Sequence, residues 1–286
     1  MPISIAEAIL QGANKLRKAG VPEARREAGS LLAFLLDRDR TFILSHADDP
    51  ISGEQETLFE EFLDARAQGE PAQYITGRQD FYGLEFEVTP AVLIPRPETE
   101  LLIEAAIKLV GAEKTVSFCD VGTGSGCIAI TLLTQLPLAH AIAVDVSAAA
   151  LDIAKRNAAR HRVTDRIEFL LSDCFASVPQ QTFDLIVSNP PYVAEDAVAT
   201  LQREVRDFEP RVALTAGTDG LDVIRRLVTE AQSYLQHRGH LLFEIGFDQH
   251  AAVSELVDPQ VWELLDIHQD LQGIPRIVAL KLKGKG

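Results

Sequence analysis

An apolar run meets a glycine-rich turn in Val116-Ser117-Phe118-Cys119-Asp120-Val121-Gly122-Thr123-Gly124-Ser125-Gly126, and Cys127 to Gln135 follow as an apolar helical segment. This order of strand, tight turn and helix places the glycines at the carboxyl edge of a sheet, where backbone can approach a ligand closely. By itself the turn is a weak signal, since Gly124, Gly126 and Ala129 also satisfy the dinucleotide spacing G-x-G-x-x-A. The stretch therefore predicts an α/β fold with a ligand site, and it leaves the ligand open.

Strand-like and helical stretches alternate after Glu98, which is typical of a parallel sheet covered by helices. The predicted strands are Val116 to Val121, Ala141 to Val146, Ile167 to Leu171, Leu185 to Ser188 and Leu241 to Ile245. A last run, Ile277 to Leu282, is expected to close the sheet as an antiparallel edge strand.

The beginning of the chain has the pattern of a small helical domain. Ser4 with Glu7 and Ser52 with Gln55 form capping boxes, and each opens an amphipathic helix. A further helix is expected after Pro22. The apolar stripes of these helices predict a mutual core.

An extended pattern follows, with alternating apolar residues on both sides of Gly83, and it indicates a β-hairpin linker. The predicted division of the chain is a helical substrate-docking domain at residues 1–76, the hairpin linker at residues 77–92, and an α/β domain at residues 93–286.

Composition places the chain among soluble globular proteins. Its 286 residues are 47% hydrophobic, enough for a large domain and a small one, while the longest apolar runs are far shorter than a bilayer span. The start Met1-Pro2-Ile3-Ser4 lacks the features of a secretory signal. Cys119, Cys127 and Cys174 have no C-x-x-C spacing and are expected to be reduced thiols. We expect a cytoplasmic monomer with no membrane partner and no metal.

Charge argues against a nucleic-acid partner. The formal net charge is -15, and the one basic cluster is the short end Lys281 to Lys285. A protein that neutralises many phosphates needs a basic face. Direct nucleic-acid binding is therefore not expected.

Asp145 narrows the choice of ligand. It ends the predicted strand after the glycine turn, about twenty residues on, where a carboxylate can accept hydrogen bonds from both hydroxyls of a ribose. The combination predicts an adenosine-containing cofactor. Asp120 is expected to anchor the loop or to meet an amino group of the cofactor, and Asp173 is a candidate contact for the adenine amino group, with a plain turn role nearly as good for each.

Asn189-Pro190-Pro191-Tyr192 follows the apolar strand that ends at Ser188, so it lies at the same sheet edge as the glycine turn. Each proline fixes its own φ and restricts the residue before it, which aims the carbonyl groups rigidly. A planar amide or amino nitrogen presents two N–H donors, and the Asn189 side-chain oxygen with the Pro190 main-chain oxygen can accept both.

Held in this way, the nitrogen turns its lone pair towards the methyl group of a sulfonium, and no general base is needed before attack. The ring of Tyr192 would lie against the planar group. The tetrapeptide therefore predicts an S-adenosyl-L-methionine-dependent methyltransferase, with Asn189, Pro190 and Tyr192 as catalytic residues and S-adenosyl-L-homocysteine as a product.

The chain resembles the peptide chain release factor glutamine methyltransferases, the HemK or PrmC family, over nearly its whole length. The motifs that carry the resemblance are Pro71-Ala72-Gln73-Tyr74-Ile75-Thr76-Gly77, Leu93-Ile94-Pro95-Arg96-Pro97-Glu98-Thr99-Glu100, Asp120 to Gly126, Asn189 to Tyr192, and Glu209-Pro210-Arg211. The resemblance implies a Rossmann-like class I methyltransferase domain with a seven-stranded sheet, joined by the hairpin to a helical bundle that grips the release factor. The substrate it implies is the glutamine of the Gly-Gly-Gln loop.

The resemblance also implies the contacts of each ligand. The methyl donor would contact Gly122, Thr123, Gly124, Ser125, Gly126, Asp145, Cys174 and Asn189, and the substrate glutamine would contact Asn189, Pro190, Pro191 and Tyr192. The family usually has an aromatic ring against the adenine after the residue equivalent to Asp173, whereas this chain has Cys174 followed by Phe175. Arg96 and Arg211 are expected to brace loops through ion pairs with nearby glutamates.

Three alternative functions stay open. A nucleic-acid adenine methyltransferase could use the same tetrapeptide on a flipped base, although the charge of the chain disfavours it. A sister enzyme could methylate a glutamine of a ribosomal protein by the same chemistry. A dehydrogenase or a non-catalytic nucleotide-binding module would bind NAD instead, and it would leave the tetrapeptide without a role.

Overall fold

The structure is a computed structural model and describes residues 2–111 and 114–284. Its helices are α1 (Ile5–Lys18), α2 (Ala24–Leu35), α3 (Arg40–Ser45), α4 (Gly53–Ala67), α5 (Ala72–Thr76), α6 (Glu100–Val110), α7 (Cys127–Gln135), α8 (Ala148–Arg160), α9 (Arg203–Phe208), α10 (Asp222–Glu230) and α11 (His250–Leu256). Its strands are β1 (Arg78–Phe81), β2 (Leu84–Glu87), β3 (Ser117–Val121), β4 (His140–Asp145), β5 (Ile167–Leu171), β6 (Phe183–Ser188), β7 (Leu235–Glu244), β8 (Trp262–Gln269) and β9 (Pro275–Leu282). Met1 and Lys285, which entered the predictions about the two ends, lie outside the described residues.

The first of two units comprises Met1–Arg78 and Gln202–Phe208. Both predicted capping boxes are confirmed, because the Ser4 and Ser52 hydroxyls accept from the backbone at Glu7 and Gln55, whose side chains accept in return. Helix α2 begins just after Pro22, as expected. The short helices α3 and α5 were not predicted, since six and five residues are too few to show a helical period.

Apolar side chains of α1, α2 and α4 form the core of this unit. Leu16, Leu31, Leu32, Phe59 and Leu63 are each at most 1% exposed. Burial of an aliphatic side chain is worth about 1.5–3 kcal/mol, so a few such residues account for the cohesion of the bundle.

Helix α9 belongs to the same unit, although the predicted division placed its residues in the domain at 93–286. The buried Arg66 of α4 lies 2.8 Å from a carboxylate oxygen of Glu27 and 3.0 Å from one of Glu204. One guanidinium therefore links α2, α4 and α9 by charge-assisted hydrogen bonds.

The second unit comprises Gln79–Leu201 and Glu209–Gly286 and contains a seven-stranded sheet in the order β5-β4-β3-β6-β7-β9-β8. Strands β3 to β7 are parallel, and β9 runs antiparallel to β7 and β8. Apolar clusters cover both faces of the sheet, which explains why its central strands are nearly continuous apolar runs. The expected α/β class with a seven-stranded sheet and a small helical domain is confirmed.

The prediction for the last strand was only half right. Strand β9 is antiparallel as expected, but it lies inside the sheet, and β8 is the edge strand. Strand β8 was missed because only Trp262 of it is buried, while Glu263 to Asp266 are exposed and give no alternating pattern.

The hairpin of β1 and β2 has the predicted turn at Tyr82 and Gly83, both with positive φ. Two central residues with positive φ suit the right-handed twist of a tight hairpin. Phe86 on β2 is fully buried in the core of the second unit.

The order of the strands places a crevice beside β3. From β3 the chain builds outward through β4 and β5 and then returns to form β6 on the other side of β3. Ligands of open α/β sheets bind at such a switch point, outside the carboxyl ends of the strands. The glycine turn follows β3 and the Asn-Pro-Pro-Tyr segment follows β6, so both lie at this point. No helix within residues 2–111 or 114–284 combines the length and apolar character needed to cross a membrane.

Candidate functional site

The glycine turn after β3 is tied to the neighbouring strand through its backbone. The amides of Gly122 and Thr123 both donate to the carbonyl oxygen of Val144, each at 2.9 Å. At the end of the turn, Gly126 has φ 82° and caps α7, and a Cβ there would lie 2.8 Å from Cδ1 of Ile130. The positive φ favours glycine at residue 126, and a Cβ there would also force the end of the Ile130 side chain to shift.

Asp120 anchors this turn, as expected. Its fully buried carboxylate accepts from the Thr123 hydroxyl at 2.7 Å and from the Ala129 amide at 3.3 Å. Both bonds are made by Oδ2, and Oδ1 is buried without a hydrogen-bond partner among the described residues. Burial raises the pKa of Asp120 to about 7, because those bonds compensate only part of the lost hydration.

Asp145, at the end of β4, holds the turn from the other side. Its Oδ2 accepts from the Gly124 amide and its Oδ1 from the Ser147 amide, each at 2.9 Å. Burial raises the pKa of Asp145. A carboxylate oxygen can accept more than one hydrogen bond, so both oxygens keep capacity for further donors.

A cavity of about 240 Å³ opens between the strand ends. Of the predicted site residues, its wall contains Gly122, Thr123, Gly124, Ser125, Asp145, Cys174, Asn189, Pro190 and Pro191. Gly126, which caps α7, and Tyr192 are not part of that wall in the described structure. Polar groups of the glycine turn and the apolar Val92, Val146 and Val223 all line the cavity, which gives it a mixed character suited to a small molecule.

Cys174 rather than an aromatic ring lines the cavity after β5. Phe175 is 1% exposed and stacks on Tyr234, with ring centroids 4.8 Å apart, and it does not belong to the described cavity wall. Burial raises the pKa of the Cys174 thiol to about 11, so the side chain is a neutral, polarisable surface at neutral pH. Asp173 also lines the cavity, and its carboxylate lies 2.7 Å from the guanidinium of Arg226.

The segment from Asn189 to Tyr192 is fixed at several points. The Ser188 hydroxyl before it donates to the Val121 carbonyl at 2.6 Å, which joins β6 to the start of the glycine turn. The Tyr192 carbonyl accepts from the Gln249 side chain at 2.9 Å. A Cβ at Gly220 would lie 2.2 Å from the same carbonyl oxygen, so this residue must be glycine for the segment to take its place.

Two residues that the sequence arguments missed hold the side chains of this segment. The Asn189 amide donates through Nδ2 to the Thr99 hydroxyl oxygen at 3.0 Å, and Thr99 donates to Glu244 Oε2 at 2.6 Å. The Tyr192 hydroxyl donates to Glu244 Oε1 at 3.3 Å. A charged residue inside the apolar run Leu241 to Ile245 was the available signal for Glu244.

The surroundings of Glu244 perturb both acidic groups of the cluster. Burial raises the pKa of Glu244 to about 7, although hydrogen bonds from Thr99 and Tyr192 and the charge of Arg276 act in the opposite direction. Burial, followed by the charge of Glu244, also raises the pKa of the Tyr192 phenol. Perturbed carboxyl groups beside a cavity are typical of functional sites.

Arg96 braces the wall of the cavity, as expected. Its guanidinium lies 2.5 Å from Oε1 of the buried Glu209, and Oε2 of Glu209 accepts from the Ile94 amide at 3.4 Å. Arg211 is exposed and its carbonyl accepts from the Thr215 hydroxyl at 3.1 Å, so its ion pair stays a prediction. In the described part of the chain, no group of three or more His, Cys, Asp or Glu side chains is arranged to hold a metal ion.

Family models match two parts of the chain. Residues 7–77 match the PrmC N-terminal domain, and residues 97–207 match the methyltransferase small domain.

Curated relatives match along nearly the full length. The release factor glutamine methyltransferase of Koribacter versatilis is 42% identical, over 96% of this chain and 98% of that protein. The release factor glutamine methyltransferase of Cereibacter sphaeroides is 45% identical, over 97% and 98% respectively.

Among solved structures, the hMettl16 catalytic domain in complex with MAT2A 3'UTR hairpin 6 is 19% identical. The match covers 88% of this chain and 92% of the solved chain, with a TM-score of 0.56. At this identity the likeness shows the methyltransferase fold alone.

Proposed function

The chain belongs to the family of release factor glutamine methyltransferases, and from this premise we propose that it methylates the side-chain amide nitrogen of the glutamine in the Gly-Gly-Gln motif of peptide chain release factors. The methyl donor of the proposal is S-adenosyl-L-methionine. The proposed setting is translation termination in the cytoplasm, with the enzyme as a monomer that requires no metal. Residues 1–76 are proposed to dock the release factor.

One observation carries the proposal more than any other. The Asn189 amide uses its nitrogen to bond Thr99, so its carbonyl oxygen is the end available to a ligand at the cavity wall. A planar N–H₂ group such as a glutamine side-chain amide needs acceptors of this kind, because both of its N–H bonds are donors.

The cavity suits the proposed methyl donor. Asp145 retains accepting capacity for ribose hydroxyls, and the glycine turn brings backbone close to the ligand without side chains in the way. The neutral Cys174 thiol and Val223 offer an apolar surface for adenine.

When bound, S-adenosyl-L-methionine supplies an electrophilic methyl group and is left as S-adenosyl-L-homocysteine, while the methylated amide nitrogen releases one of its two protons to water. The Asn189 Oδ1 and the Pro190 carbonyl accept the two N–H groups of the substrate amide and thereby direct its lone pair. Proline at residues 190 and 191 keeps this backbone extended, and Tyr192, although outside the described cavity wall, is proposed to offer a ring face to the substrate amide. Catalysis is chiefly positioning, an effect worth up to roughly 7–11 kcal/mol in well-oriented systems.

Charge favours a protein substrate over a nucleic acid. The net charge of -15 opposes association with a phosphate backbone, and an adenine methyltransferase would need a basic face. A glutamine on a ribosomal protein would fit the same site, so the experiment must separate the two substrates.

The test is a transfer reaction with purified release factor, purified ribosomal proteins and duplex or single-stranded nucleic acid as separate substrates. Mass spectrometry of the Gly-Gly-Gln peptide should show one added methyl group on the glutamine. A release factor whose motif glutamine is replaced by alanine is the matched control and should gain none. Methylation of a ribosomal protein or of nucleic acid, with the release factor unmodified, would exclude the proposal.

A further inference from the structure

Glu244 is a buried carboxylate whose two oxygens both serve the candidate site. It ends β7 and is 1% exposed, with Oε2 accepting from Thr99 and Oε1 accepting from Tyr192. Thr99, also 1% exposed, accepts in turn from the Asn189 amide. A continuous chain of hydrogen bonds therefore joins Glu244 to two side chains of the Asn-Pro-Pro-Tyr segment.

While Glu244 is ionised, the donors and acceptors of these hydrogen bonds can be arranged in one direction only. A carboxylate only accepts hydrogen bonds, so the single hydroxyl hydrogen of Thr99 is committed to Glu244. Thr99 can then only accept from Asn189, and the NH₂ end of that amide must face it. The carbonyl end, Oδ1, is left for other donors.

We infer that Thr99 and Glu244 are positioning residues for methyl transfer, which hold the Asn189 amide with its carbonyl oxygen towards the substrate nitrogen. The inference rests on the proposed function, because it assigns these residues a task in that reaction. If the side-chain amide of Asn189 were flipped by 180°, its N–H donors would face the N–H donors of the substrate. One of the two acceptors of the reacting nitrogen would then be lost.

A purely structural role explains Glu244 less well. Its neighbours Leu242, Phe243 and Ile245 are apolar and fully buried, so an apolar side chain would suit the strand better than a carboxylate. The raised pKa of Glu244 shows that burial outweighs the hydrogen bonds that stabilise its charge. A local conflict of this kind is expected where a residue serves function.

The hydroxyl of Thr99 can be removed without changing the volume of the side chain. Thr99→Val keeps the shape and loses the hydroxyl, while Thr99→Ser keeps the hydroxyl and loses a methyl group. Each variant is assayed for kcat and KM with purified release factor, for S-adenosyl-L-methionine affinity by calorimetry, and for folding by Trp262 fluorescence. Glu244→Gln is assayed in parallel and should lower kcat in the same direction, because a glutamine can also donate to Thr99 and so loses the fixed direction.

We expect Thr99→Val to lower kcat on the order of 100-fold, as misplacement of a reacting group does, with little change in KM or in cofactor affinity. Thr99→Ser should restore most of the lost kcat. Wild-type kcat in Thr99→Val, or an equal loss of kcat in both Thr99 variants, would overturn the inference. An inactive wild-type enzyme would instead overturn the proposed function. If Glu244→Gln does not fold, the two Thr99 variants still decide.

Discussion

Replacing Glu244 by glutamine should make the stability of the second unit less sensitive to pH. Burial raises the pKa of Glu244 from 4.5 to about 7, so the folded protein retains a proton that the unfolded chain has released across this interval. A group whose folded pKa is raised contributes stability below its unfolded pKa and loses that contribution as pH rises through its folded pKa. At about 1.4 kcal/mol for each pKa unit, Glu244 lowers the free energy of unfolding by about 3 kcal/mol above pH 7.

A glutamine side chain has nearly the same shape and does not titrate. The free energy of unfolding of Glu244→Gln, minus that of the wild type, should therefore grow by roughly 2–3 kcal/mol between about pH 5 and pH 8. The fully buried Asp120 contributes equally to both proteins, so it cancels in the difference. The other titratable groups that interact electrostatically with Glu244 are Tyr192, Arg276, Glu98 and Cys127. All four are present in both proteins.

The assay is urea unfolding followed by tryptophan fluorescence over this pH range. Trp262 is the sole tryptophan, it is 2% exposed, and its indole donates to the Val228 carbonyl at 3.2 Å within the second unit. Its emission therefore reports the unfolding of the unit that contains Glu244. Glu263→Gln on the exposed face of β8 is the matched control and should follow the wild type at each pH. Parallel curves for Glu244→Gln and the wild type would refute the reasoning, because they would mean that Glu244 releases its proton equally easily in both states.

Three further outcomes are expected. Asn189→Ala should abolish turnover while the fold and most of the cofactor affinity persist, because one acceptor of the reacting amide is removed. Calorimetry measures the cofactor affinity and the transfer assay measures turnover. Near-normal transfer would contradict the two-acceptor scheme. Gly126→Ala should lower the free energy of unfolding by about 1–3 kcal/mol, because a Cβ meets Ile130 at 2.8 Å and φ is positive. Gly124→Ala, with nothing within 4 Å, should cost less in the same urea assay, and equal losses would argue against the packing contact. The wild-type kcat should fall as pH drops below about 7, where Glu244 takes up a proton and can donate to Thr99, and Glu244→Gln should lack that inflection in its pH profile.

Local patterns predicted much of this molecule. The glycine turn and the two prolines of the Asn-Pro-Pro-Tyr segment act through their own backbone, so their local effect can be predicted from consecutive residues. The central strands were found because both of their faces are buried, which gives continuous apolar runs. Strand β8 escaped because its exposed residues are polar and apolar in no regular order, and its place at the edge outside β9 is set by pairing rather than by its own sequence.

The contacts of Thr99 and Glu244 depend instead on distant parts of the chain meeting. Their hydrogen bond joins residues 145 positions apart, and its chemistry is visible only once the residue that precedes α6 meets the end of β7. The sequence draws attention to each residue separately, to Thr99 by its motif and to Glu244 by its apolar neighbours. It does not indicate that the two residues are in contact. Phe175 shows that neighbours in the sequence can also have different surroundings. Its position next to Cys174 gave no indication that its ring stacks on Tyr234.

The two acceptors proposed for the substrate nitrogen differ in how they are held. The Pro190 carbonyl belongs to a backbone between proline rings, so covalent geometry limits where it can point. The Asn189 oxygen lies on a side-chain amide, whose terminal torsion has two nearly equivalent orientations that place oxygen or nitrogen at the same site. Only the second acceptor needs an outside group to choose its orientation, and a hydroxyl whose hydrogen is already committed to a carboxylate makes that choice. The buried carboxylate of Glu244, whose charge is disfavoured by burial, is thus linked through Thr99 to the one proposed acceptor that proline does not already fix.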